Sequence, residues 1–252
     1  MAEWNSEQYL KFKKQRTQPS VDLANRIKDC NPKSVIDLGC GPGNSTHILK
    51  LTFPNADVMG IDNSANMIKK AKSAYSDLNF SLCDVHSIEG RYDLLFSNAC
   101  LQWLPNHEKL LPELMGKLND GGVLAVQIPM NGEEPLYEIM REIVNEPKWG
   151  FQSANLDNNA TLTPNEYFNI LSDCSGEFQI WETKYYHNLP NHKALVEWIK
   201  GTRIRPYLAH LSSEAGELFE QEIYERTKEA YPVMKNGEVI LCFNRFFFVA
   251  EK

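Results

Sequence analysis

The most informative segment of this chain reads Val35-Ile36-Asp37-Leu38-Gly39-Cys40-Gly41-Pro42-Gly43-Asn44-Ser45-Thr46. Its apolar run, followed by closely spaced glycines and then by polar residues, predicts a short buried strand, a glycine-rich turn and the start of a helix. Glycine has no Cβ, so the backbone of this turn can adopt positive φ and lie close to a ligand. The segment therefore predicts a nucleotide-like ligand at the end of the first strand.

The charge of this segment narrows the class of ligand. Asp37 lies at the strand end, where its carboxylate would repel a phosphate and attract an ammonium or a sulfonium. Asn44 occupies the position at which the dinucleotide fingerprint Gly-x-Gly-x-x-Gly requires its third glycine. These two residues favour a cationic, adenosine-bearing cofactor, and they disfavour the alternative of an NAD-binding oxidoreductase.

Length and composition set limits on the class of protein. The 252 residues, 42% of them hydrophobic, predict one α/β domain with insertions, or one domain plus a small cap. A net charge of −7 argues against nonspecific nucleic-acid binding. The six cysteines are widely spaced and no apolar run reaches membrane-spanning length, so we expect a cytoplasmic protein without a membrane partner. We expect a monomer or a weak homo-oligomer.

Strand-like and helical patterns alternate through the first half of the chain. The strand-like runs cover 34–38, 57–61, 79–83, 92–97 and 123–128. Their alternation with helical runs predicts a parallel, doubly wound sheet with helices on both faces. A helix through Leu110, Leu114 and Leu118 should end at a turn formed by residues 119–122.

Two helical patterns occupy residues 6–30, and Pro19 can open the second of them at its first turn. The first pattern is either a packing element beside the sheet or a lid over the cofactor turn. Beyond residue 129 we predict helices at 134–145, 163–174 and over most of 191–231, and a strand at 178–187. The β-prone run 239–249 is compatible with an antiparallel strand near the sheet edge.

Acidic residues follow three successive strands, at Asp37, Asp62 and Asp84. Ligands of open α/β sheets lie at the carboxyl ends of the strands. Asp37 can anchor an amino group, Asp62 can accept from both ribose hydroxyls, and Asp84 can accept from an adenine amine. A single acidic residue after a strand is as typical of a helix cap as of a ligand contact. Three in succession, together with the glycine turn, favour the cofactor interpretation.

The segment Asp37–Gly43 resembles motif I of the class I S-adenosylmethionine-dependent methyltransferases, and the likeness extends over nearly the whole chain to the trans-aconitate methyltransferases within that superfamily. The further matching pieces are Trp4-Asn5, Tyr9, Arg16, Pro19, Gly60-Ile61-Asp62, Asn98-Ala99, Leu101-Gln102-Trp103-Leu104-Pro105, Gly122–Gln127, Tyr185-Tyr186-His187 and Arg205-Pro206. The resemblance implies a Rossmann-like seven-stranded α/β sheet whose last strand is antiparallel. It also implies one domain over 1–252, with N-terminal lid helices (1–30), a cofactor-binding core (31–130) and substrate-capping helices with the last strands (131–252).

This resemblance implies that S-adenosyl-L-methionine donates a methyl group to a carboxylate of trans-aconitate or a similar small polycarboxylic acid, leaving S-adenosyl-L-homocysteine. The chain departs from the family at Pro129-Met130-Asn131, where we expect Asp rather than Met before the Asn. The residues expected to contact the cofactor are Arg16, Asp37, Gly39, Cys40, Gly41, Asn44, Asp62, Asn63, Met67, Asp84, Val85, Asn98 and Ala99.

Methyl transfer from a sulfonium to a carboxylate needs positioning rather than a base. A carboxylic acid has a pKa of about 4, so the nucleophile is already ionised at neutral pH and we expect no catalytic acid or base. Arginines suit the carboxylates that do not react, because the guanidinium binds them bidentately. The residues expected to contact the substrate are Tyr9, Gln102, Trp103, Asn131, Tyr185, Tyr186, His187, Arg203 and Arg205. Arg16 is an alternative substrate contact, and Trp198 is either a pocket wall or a core residue.

Several alternatives stay open at this point. His187 and His192 lie five residues apart, but no accompanying ligand set supports a metal site, so we expect none. The acceptor is alternatively a fatty-acid-like or carrier-bound carboxylate. A different class of function is a nonenzymatic regulator that binds S-adenosylmethionine without turnover.

Overall fold

The computed structural model describes residues 12–152, 154, 156 and 159–252. The chain divides into two compact units. We call the one formed by Lys13–Pro129, Asn159–Thr183 and Arg245–Lys252 the core unit. We call the other, which contains Phe12, the described part of 130–158 and Lys184–Asn244, the insert unit. Tyr9, Trp4 and Asn5 lie outside the described residues.

The described residues form nine helices and seven strands. The helices are α1 (Lys13–Arg26), α2 (Asn44–Thr52), α3 (Ala65–Ala74), α4 (His107–Gly116), α5 (Pro135–Val144), α6 (Pro164–Cys174), α7 (His192–Lys200), α8 (Arg205–His210) and α9 (Ser213–Ala230). The strands are β1 (Ser34–Leu38), β2 (Asp57–Asp62), β3 (Asn79–Leu82), β4 (Tyr92–Asn98), β5 (Leu118–Pro129), β6 (Glu177–Leu189) and β7 (Val239–Glu251). Strands β6 and β7 each contribute residues to both units.

The strands form one seven-stranded sheet in the order β3-β2-β1-β4-β5-β7-β6. The first five strands of that order are parallel, and β7 pairs antiparallel with β5. Strand β1 lies inside the sheet and four of its five residues are buried, as its continuous apolar run predicts. The predicted α/β class, the seven strands and the antiparallel last strand are confirmed.

Helix α1 contradicts the prediction that Pro19 opens a second helix; residues 6–11 of the first predicted pattern lie outside the described residues. It is continuous from Lys13 to Arg26, with Pro19 in its interior. Arg16, Ser20 and Leu23 are all buried and recur at helical spacing, so one buried stripe crosses the proline. The helix packs against α2 and β5. This packing offsets the interior-proline penalty of about 3 kcal/mol.

The prediction of a turn at 119–122 is also wrong, because these residues lie within β5. Tyr92 of β4 pairs with Leu118, but two residues later Leu94 pairs with Val123. The additional residues form a bulge in which Gly121 adopts a φ of 71°. The glycines therefore bend a strand instead of ending a helix, and α4 stops at Gly116.

The second half of the chain matches its predicted elements closely. Thr163 caps α6 with a capping box that it forms with Glu166, and α5 begins at Pro135. An aromatic cluster that includes Trp198, Phe243 and Phe219 lies in the core of the insert unit. No helix in the described ranges is long and apolar enough to cross a membrane.

Candidate functional site

The glycine turn after β1 has the positive-φ backbone that its sequence predicts. Gly39, Gly41 and Gly43 have φ values of 68°, 54° and 89°. A Cβ on Gly39 would lie 2.2 Å from Sγ of Cys100, and one on Gly43 would lie 2.8 Å from the Phe80 ring. A Cβ on Gly41 would have no heavy atom within 4 Å. Gly41 therefore faces open space, which leaves room for a ligand against the backbone.

Asp37 is fully buried at the end of β1. Its Oδ2 accepts hydrogen bonds from Ser45 Oγ at 2.6 Å and from Thr46 Oγ1 at 2.7 Å, and its Oδ1 is buried without a partner. Burial raises the pKa of Asp37 from its ordinary 3.8 to about 6, and the nearby charge of Asp62 adds to that rise. A cation reaching Oδ1 would stabilise the ionised form.

Asp62 connects the end of β2 to the glycine turn. Its Oδ2 accepts from the Gly41 amide at 3.0 Å and its Oδ1 accepts from the Ser64 amide at 2.8 Å. Burial raises the pKa of Asp62, whereas these two bonds lower it. Each carboxylate oxygen can accept a further bond, so the pair can receive two neighbouring hydroxyl groups.

Asp84 follows β3 and is half-buried. Its Oδ1 accepts from the His86 amide at 2.9 Å, so it caps the short 3₁₀ turn Val85–Ser87. Val85 itself is buried. Capping and ligand binding are compatible here, because one carboxylate oxygen is left for a ligand.

Four other predicted cofactor residues lie around the turn and the end of β2. Asn44 is half-buried, and its Oδ1 accepts from the Tyr75 hydroxyl at 3.0 Å. Cys40 and Met67 are buried, whereas Asn63 is exposed. Cys40 and Met67 thus contribute apolar surface, whereas Asn44 and Asn63 are polar groups that water or a ligand can reach.

The carboxyl end of β4 holds a turn with a strained residue. Ala99 has a φ of 54°, unusual for a residue with a Cβ, and its amide donates to the Gln127 carbonyl at 3.0 Å. Gln102 Nε2 donates to the Ala99 carbonyl at 2.8 Å. The side-chain oxygens of Asn98 and Gln102 are buried without partners. Such strain and unsatisfied acceptors are typical of a ligand site.

Strand register places the main candidates on one face of the sheet. Asp37 pairs with Gly60 and with Phe96, and in a parallel sheet paired residues point to the same side. Asp62 and Asn98 each lie two residues beyond those partners, so both share the face of Asp37. This face offers acceptors for an amino group and for hydroxyls, which fits an adenosine cofactor with a cationic end.

The predicted arginines occupy both units. Arg16 is buried on α1 in the core unit. Arg203 and Arg205 are half-buried in the insert unit, where Arg205 begins α8. Burial lowers the pKa of Arg205, but a guanidinium stays protonated at neutral pH.

The predicted aromatic contacts of the insert unit differ in environment. Tyr186 is 66% exposed, whereas His187 is buried. The His187 ring stacks on Tyr185 at 6.2 Å and packs against Trp198 at 4.9 Å, centroid to centroid. Trp198 also contacts Phe12 and Phe243, so its environment is that of a core residue.

Asn131 and Trp103 complete the predicted substrate set. Asn131 is buried, and its Oδ1 accepts from the Asn244 amide at 2.6 Å in the insert unit. Trp103 ends the 3₁₀ turn Leu101–Trp103 in the core unit and is half-buried. Among the described residues, no group of three or more His, Cys, Asp or Glu side chains has an arrangement that could hold a metal ion.

Four polar residues of the core unit were not singled out from the sequence. Ser45 and Thr46 bind Asp37, and Arg245 forms a buried pair with Gln127. Ser45 and Thr46 follow the glycine turn directly, so their position in the sequence could have identified them as partners of Asp37. Arg245 lies within an aromatic β-prone run, and only strand pairing reveals its neighbours.

Comparison with known proteins gives the family. A family model described as a methyltransferase domain matches residues 31–209. Trans-aconitate 2-methyltransferase of Escherichia coli O139:H28 is 41% identical over 254 residues, which cover 100% of this chain and 99% of that protein. The protein of the same name from Escherichia coli K12 DH10B is 40% identical over the same length and coverage.

Solved structures share the fold at low identity. The YcgJ protein of Bacillus subtilis superposes with a TM-score of 0.61 at 16% identity, covering 93% of this chain and 98% of that one. The plantazolicin methyltransferase BpumL, in complex with S-adenosylhomocysteine, gives a TM-score of 0.53 at 16% identity, covering 98% and 89%.

Proposed function

This chain belongs to the S-adenosylmethionine-dependent methyltransferases related to trans-aconitate 2-methyltransferase, and we propose that it methylates a carboxylate of trans-aconitate or a closely similar small polycarboxylic acid. The observation that carries the proposal is the 41% identity over the full length of both chains. The family fits the site, because the carboxylates of Asp37 and Asp62 share one sheet face beside an open glycine turn.

The proposed reaction transfers a methyl group from a sulfonium to a carboxylate oxygen, and a cation and an anion become neutral groups. Such a step is favoured by a site that holds both reactants in line and replaces their water. The acceptor is ionised at neutral pH, so no side chain has to remove a proton. We therefore assign no catalytic acid or base, and the residues act by binding and orientation.

We assign the cofactor contacts to the core unit. Oδ1 of Asp37 would accept from the amino group, the carboxylate of Asp62 from the ribose hydroxyls, and Asp84 from the adenine amine. When bound, S-adenosyl-L-methionine supplies the methyl group and leaves as S-adenosyl-L-homocysteine. Buried Asp37, with its unpartnered oxygen and a pKa of about 6, supports this assignment, because a cationic group would compensate its desolvation.

We assign the acid's carboxylates to arginines and neighbouring polar groups. Arg205 and Arg203 are half-buried, and Arg205 is desolvated enough to lower its pKa. A partly desolvated guanidinium binds a carboxylate more strongly than one in bulk water. The proposed contacts from the insert unit also include Tyr185, Tyr186, His187 and Asn131, and those from the core unit Gln102 and Trp103. Buried Arg16 is proposed for a carboxylate of either the cofactor or the acid.

A direct test combines calorimetry and turnover. The protein is titrated with S-adenosylmethionine and then assayed for methyl transfer to a panel of small di- and tricarboxylates, fatty acids and carrier-bound acids. We expect cofactor binding and an ester product from the tricarboxylates. Binding without any product would instead support a nonenzymatic regulator, and esterification of only the long-chain or carrier-bound acids would overturn the substrate proposal.

The open face of Gly41 gives a prediction with a matched control. Gly41→Ala and Gly90→Ala each place a Cβ at positive φ in open space, at φ 54° and 81°. Each should therefore cost about 1 kcal/mol of unfolding free energy. Only Gly41→Ala should also weaken cofactor binding, by about tenfold, because its Cβ enters the ligand space. Equal cofactor dissociation constants for the two variants would contradict this assignment.

Arg205→Ala is expected to raise the KM for the acid by about 30-fold while changing the cofactor dissociation constant by less than about twofold. Arg141→Ala in the same unit is the control, since Arg141 is a solvated surface residue paired with Glu138 at 3.8 Å. Steady-state kinetics with the acid as the varied substrate checks both variants. An unchanged KM for Arg205→Ala would remove this residue from the proposed substrate site.

The wide spacing of the cysteines along the chain supports a reducing compartment. All six cysteines are free, including the exposed Cys30. We therefore propose that the enzyme works in the cytoplasm.

A further inference from the structure

A buried histidine and a buried tyrosine lie next to the turn that follows β4. His107, the first residue of α4, is 1% exposed, and Tyr167 of α6 is fully buried. Nδ1 of His107 is 2.7 Å from the Tyr167 hydroxyl oxygen, and its Nε2 is 2.8 Å from the carbonyl oxygen of Leu101. These two hydrogen bonds connect two helices of the core unit to the 3₁₀ turn Leu101–Trp103.

The carbonyl acceptor determines the direction of both bonds. A carbonyl oxygen can only accept, so Nε2 of His107 carries the proton and donates to Leu101. Burial lowers the pKa of His107, so the ring is neutral at pH 7 and its Nδ1 accepts from the Tyr167 hydroxyl. The hydroxyl oxygen accepts in turn from the Leu162 amide at 3.4 Å. The imidazole therefore has a single tautomer, and each of its nitrogens has one partner.

A second hydrogen bond reaches the turn from the same side. The Ala160 amide donates to the Gln102 carbonyl at 2.8 Å. Ala160 lies two residues before Leu162, which binds the Tyr167 hydroxyl. The hydrogen bonds and the intervening chain thus form a closed ring that includes the carbonyls of Leu101 and Gln102. This ring restricts the position of both carbonyls.

The turn carries residues of the proposed acid site. Gln102 and Trp103 are proposed contacts of the acid, and Nε2 of Gln102 also donates to the carbonyl of Ala99, the residue with a φ of 54°. The amide of Ala99 is held separately, by the Gln127 carbonyl of β5 at 3.0 Å. A shift of the turn should therefore displace Gln102 and Trp103 more than the proposed cofactor residues at the strand ends.

Packing and backbone satisfaction do not require this polar pair. A buried imidazole and a buried hydroxyl both lose their water, and two apolar rings of similar shape can stabilise a fold equally well. The Leu101 carbonyl already accepts from the Leu104 amide at 2.9 Å, so it would not be left without a donor. The bond from His107 adds direction, because it sets the position of this carbonyl relative to α4 and α6.

We propose that His107 and Tyr167 are positioning residues that hold the turn Leu101–Trp103 in the geometry at which Gln102 and Trp103 bind the acceptor acid. This inference rests on the proposed function and adds two residues that act through others. Neither side chain is assigned to a reactant. Loss of the pair should therefore impair binding of the acid and preserve binding of the cofactor.

The test compares variants by the KM for trans-aconitate, the dissociation constant of S-adenosylhomocysteine and the Tm. His107→Phe keeps a buried ring but removes both hydrogen bonds, whereas His107→Gln keeps an N–H for the Leu101 carbonyl and an oxygen for the hydroxyl. The double variant His107→Phe/Tyr167→Phe makes the pair apolar. Tyr92→Phe is the control, because its hydroxyl also donates to a carbonyl, that of Glu89 at 2.9 Å, but at the amino end of β4.

We expect His107→Phe to raise the KM about 30-fold and to lower the Tm by about 5 °C, because it leaves the Tyr167 hydroxyl buried without an acceptor. In the double variant that hydroxyl is gone, so the Tm should return to within about 2 °C of wild type while the KM stays raised. His107→Gln should keep the KM within about fivefold of wild type, and Tyr92→Phe should leave it unchanged. All variants should bind S-adenosylhomocysteine within about twofold of wild type.

Other outcomes overturn the inference in distinguishable ways. A KM that recovers together with the Tm in the double variant would show that the pair only stabilises the fold. An unchanged KM in His107→Phe, or in the double variant where His107→Phe does not fold, would overturn the inference while the proposed function stands. S-adenosylhomocysteine binding that weakens as much as acid binding would contradict a role specific to the acid. A wild type that methylates no acid of the panel would refute the proposed function, and this inference with it.

Discussion

Asp62→Ala is expected to raise the dissociation constant of S-adenosylhomocysteine by about 100-fold or more. Two hydrogen bonds from ribose hydroxyls to a carboxylate are each worth about 1.5–3 kcal/mol. The substitution also removes the acceptors of the Gly41 and Ser64 amides, so the glycine turn loses one of its hydrogen bonds to the end of β2. Isothermal calorimetry with S-adenosylhomocysteine measures the effect without turnover.

Asp57→Ala is the matched control for this change. Asp57 belongs to the same strand, but it is exposed and lies at the opposite, amino end. Its replacement should leave the dissociation constant within about twofold of wild type. A similar loss in both variants would show that the strand, and not the carboxylate at its end, determines cofactor affinity.

Asp37→Asn should make the unliganded protein more stable and the cofactor complex weaker. A buried carboxyl whose pKa rises from 3.8 to about 6 loses about 3 kcal/mol of stability when it is ionised at neutral pH. Asparagine keeps an oxygen that can accept from Ser45 and Thr46 but carries no charge. At about pH 7.5 we expect the Tm of the free protein to rise by about 6 °C and cofactor affinity to fall about 30-fold.

The pH dependence of stability and of cofactor affinity in the wild type follows from the same shift in the pKa of Asp37. The stability contributed by protonated Asp37 is fully present below pH 3.8 and is lost as the pH rises through about 6. The proposed contact with the cationic amino group of the cofactor requires the ionised form, so affinity should be constant above about pH 6 and fall about tenfold per pH unit below it. Calorimetry from pH 5 to 8 checks this, and Asp37→Asn should show a flat profile.

A loss of stability in Asp37→Asn, or a wild-type affinity that does not change between about pH 5 and 8, would contradict the assignment of Asp37 to the amino group. The first result would mean that the negative charge stabilises the fold in the absence of ligand. The second would mean that the cofactor does not interact with the ionised carboxylate.

The parts of the fold predicted from sequence are those specified by local signals. The glycine turn after Leu38, the cap at Ser64 and the alternation of apolar and helical runs depend on residues close together in the chain. Asp37 and Asp62 could be assigned to strand ends because each follows a short apolar run. Local patterns of this kind are sufficient to predict a doubly wound sheet.

The features that escaped prediction depend on contacts distant in sequence. Pro19 would separate two helices by local rules, but the buried stripe of α1 continues across it. Gly121 and Gly122 are typical of a turn, yet pairing with β4 makes them a bulge. Arg245 is 118 positions from Gln127, and only the insertion of β7 beside β5 brings them together. No periodicity within either segment carries that information.

The most direct test of the proposed mechanism is the pH dependence of kcat for methyl transfer to trans-aconitate, measured with labelled S-adenosylmethionine at saturating concentrations of both substrates. If binding and orientation suffice, labelled methyl ester should form with a kcat that is constant between about pH 6.5 and 8.5, since the acceptor is fully ionised there. A kcat that falls with decreasing pH along a single titration curve near pH 7 would require a general base and would contradict the mechanism. The absence of any labelled ester would contradict the assignment of the acceptor.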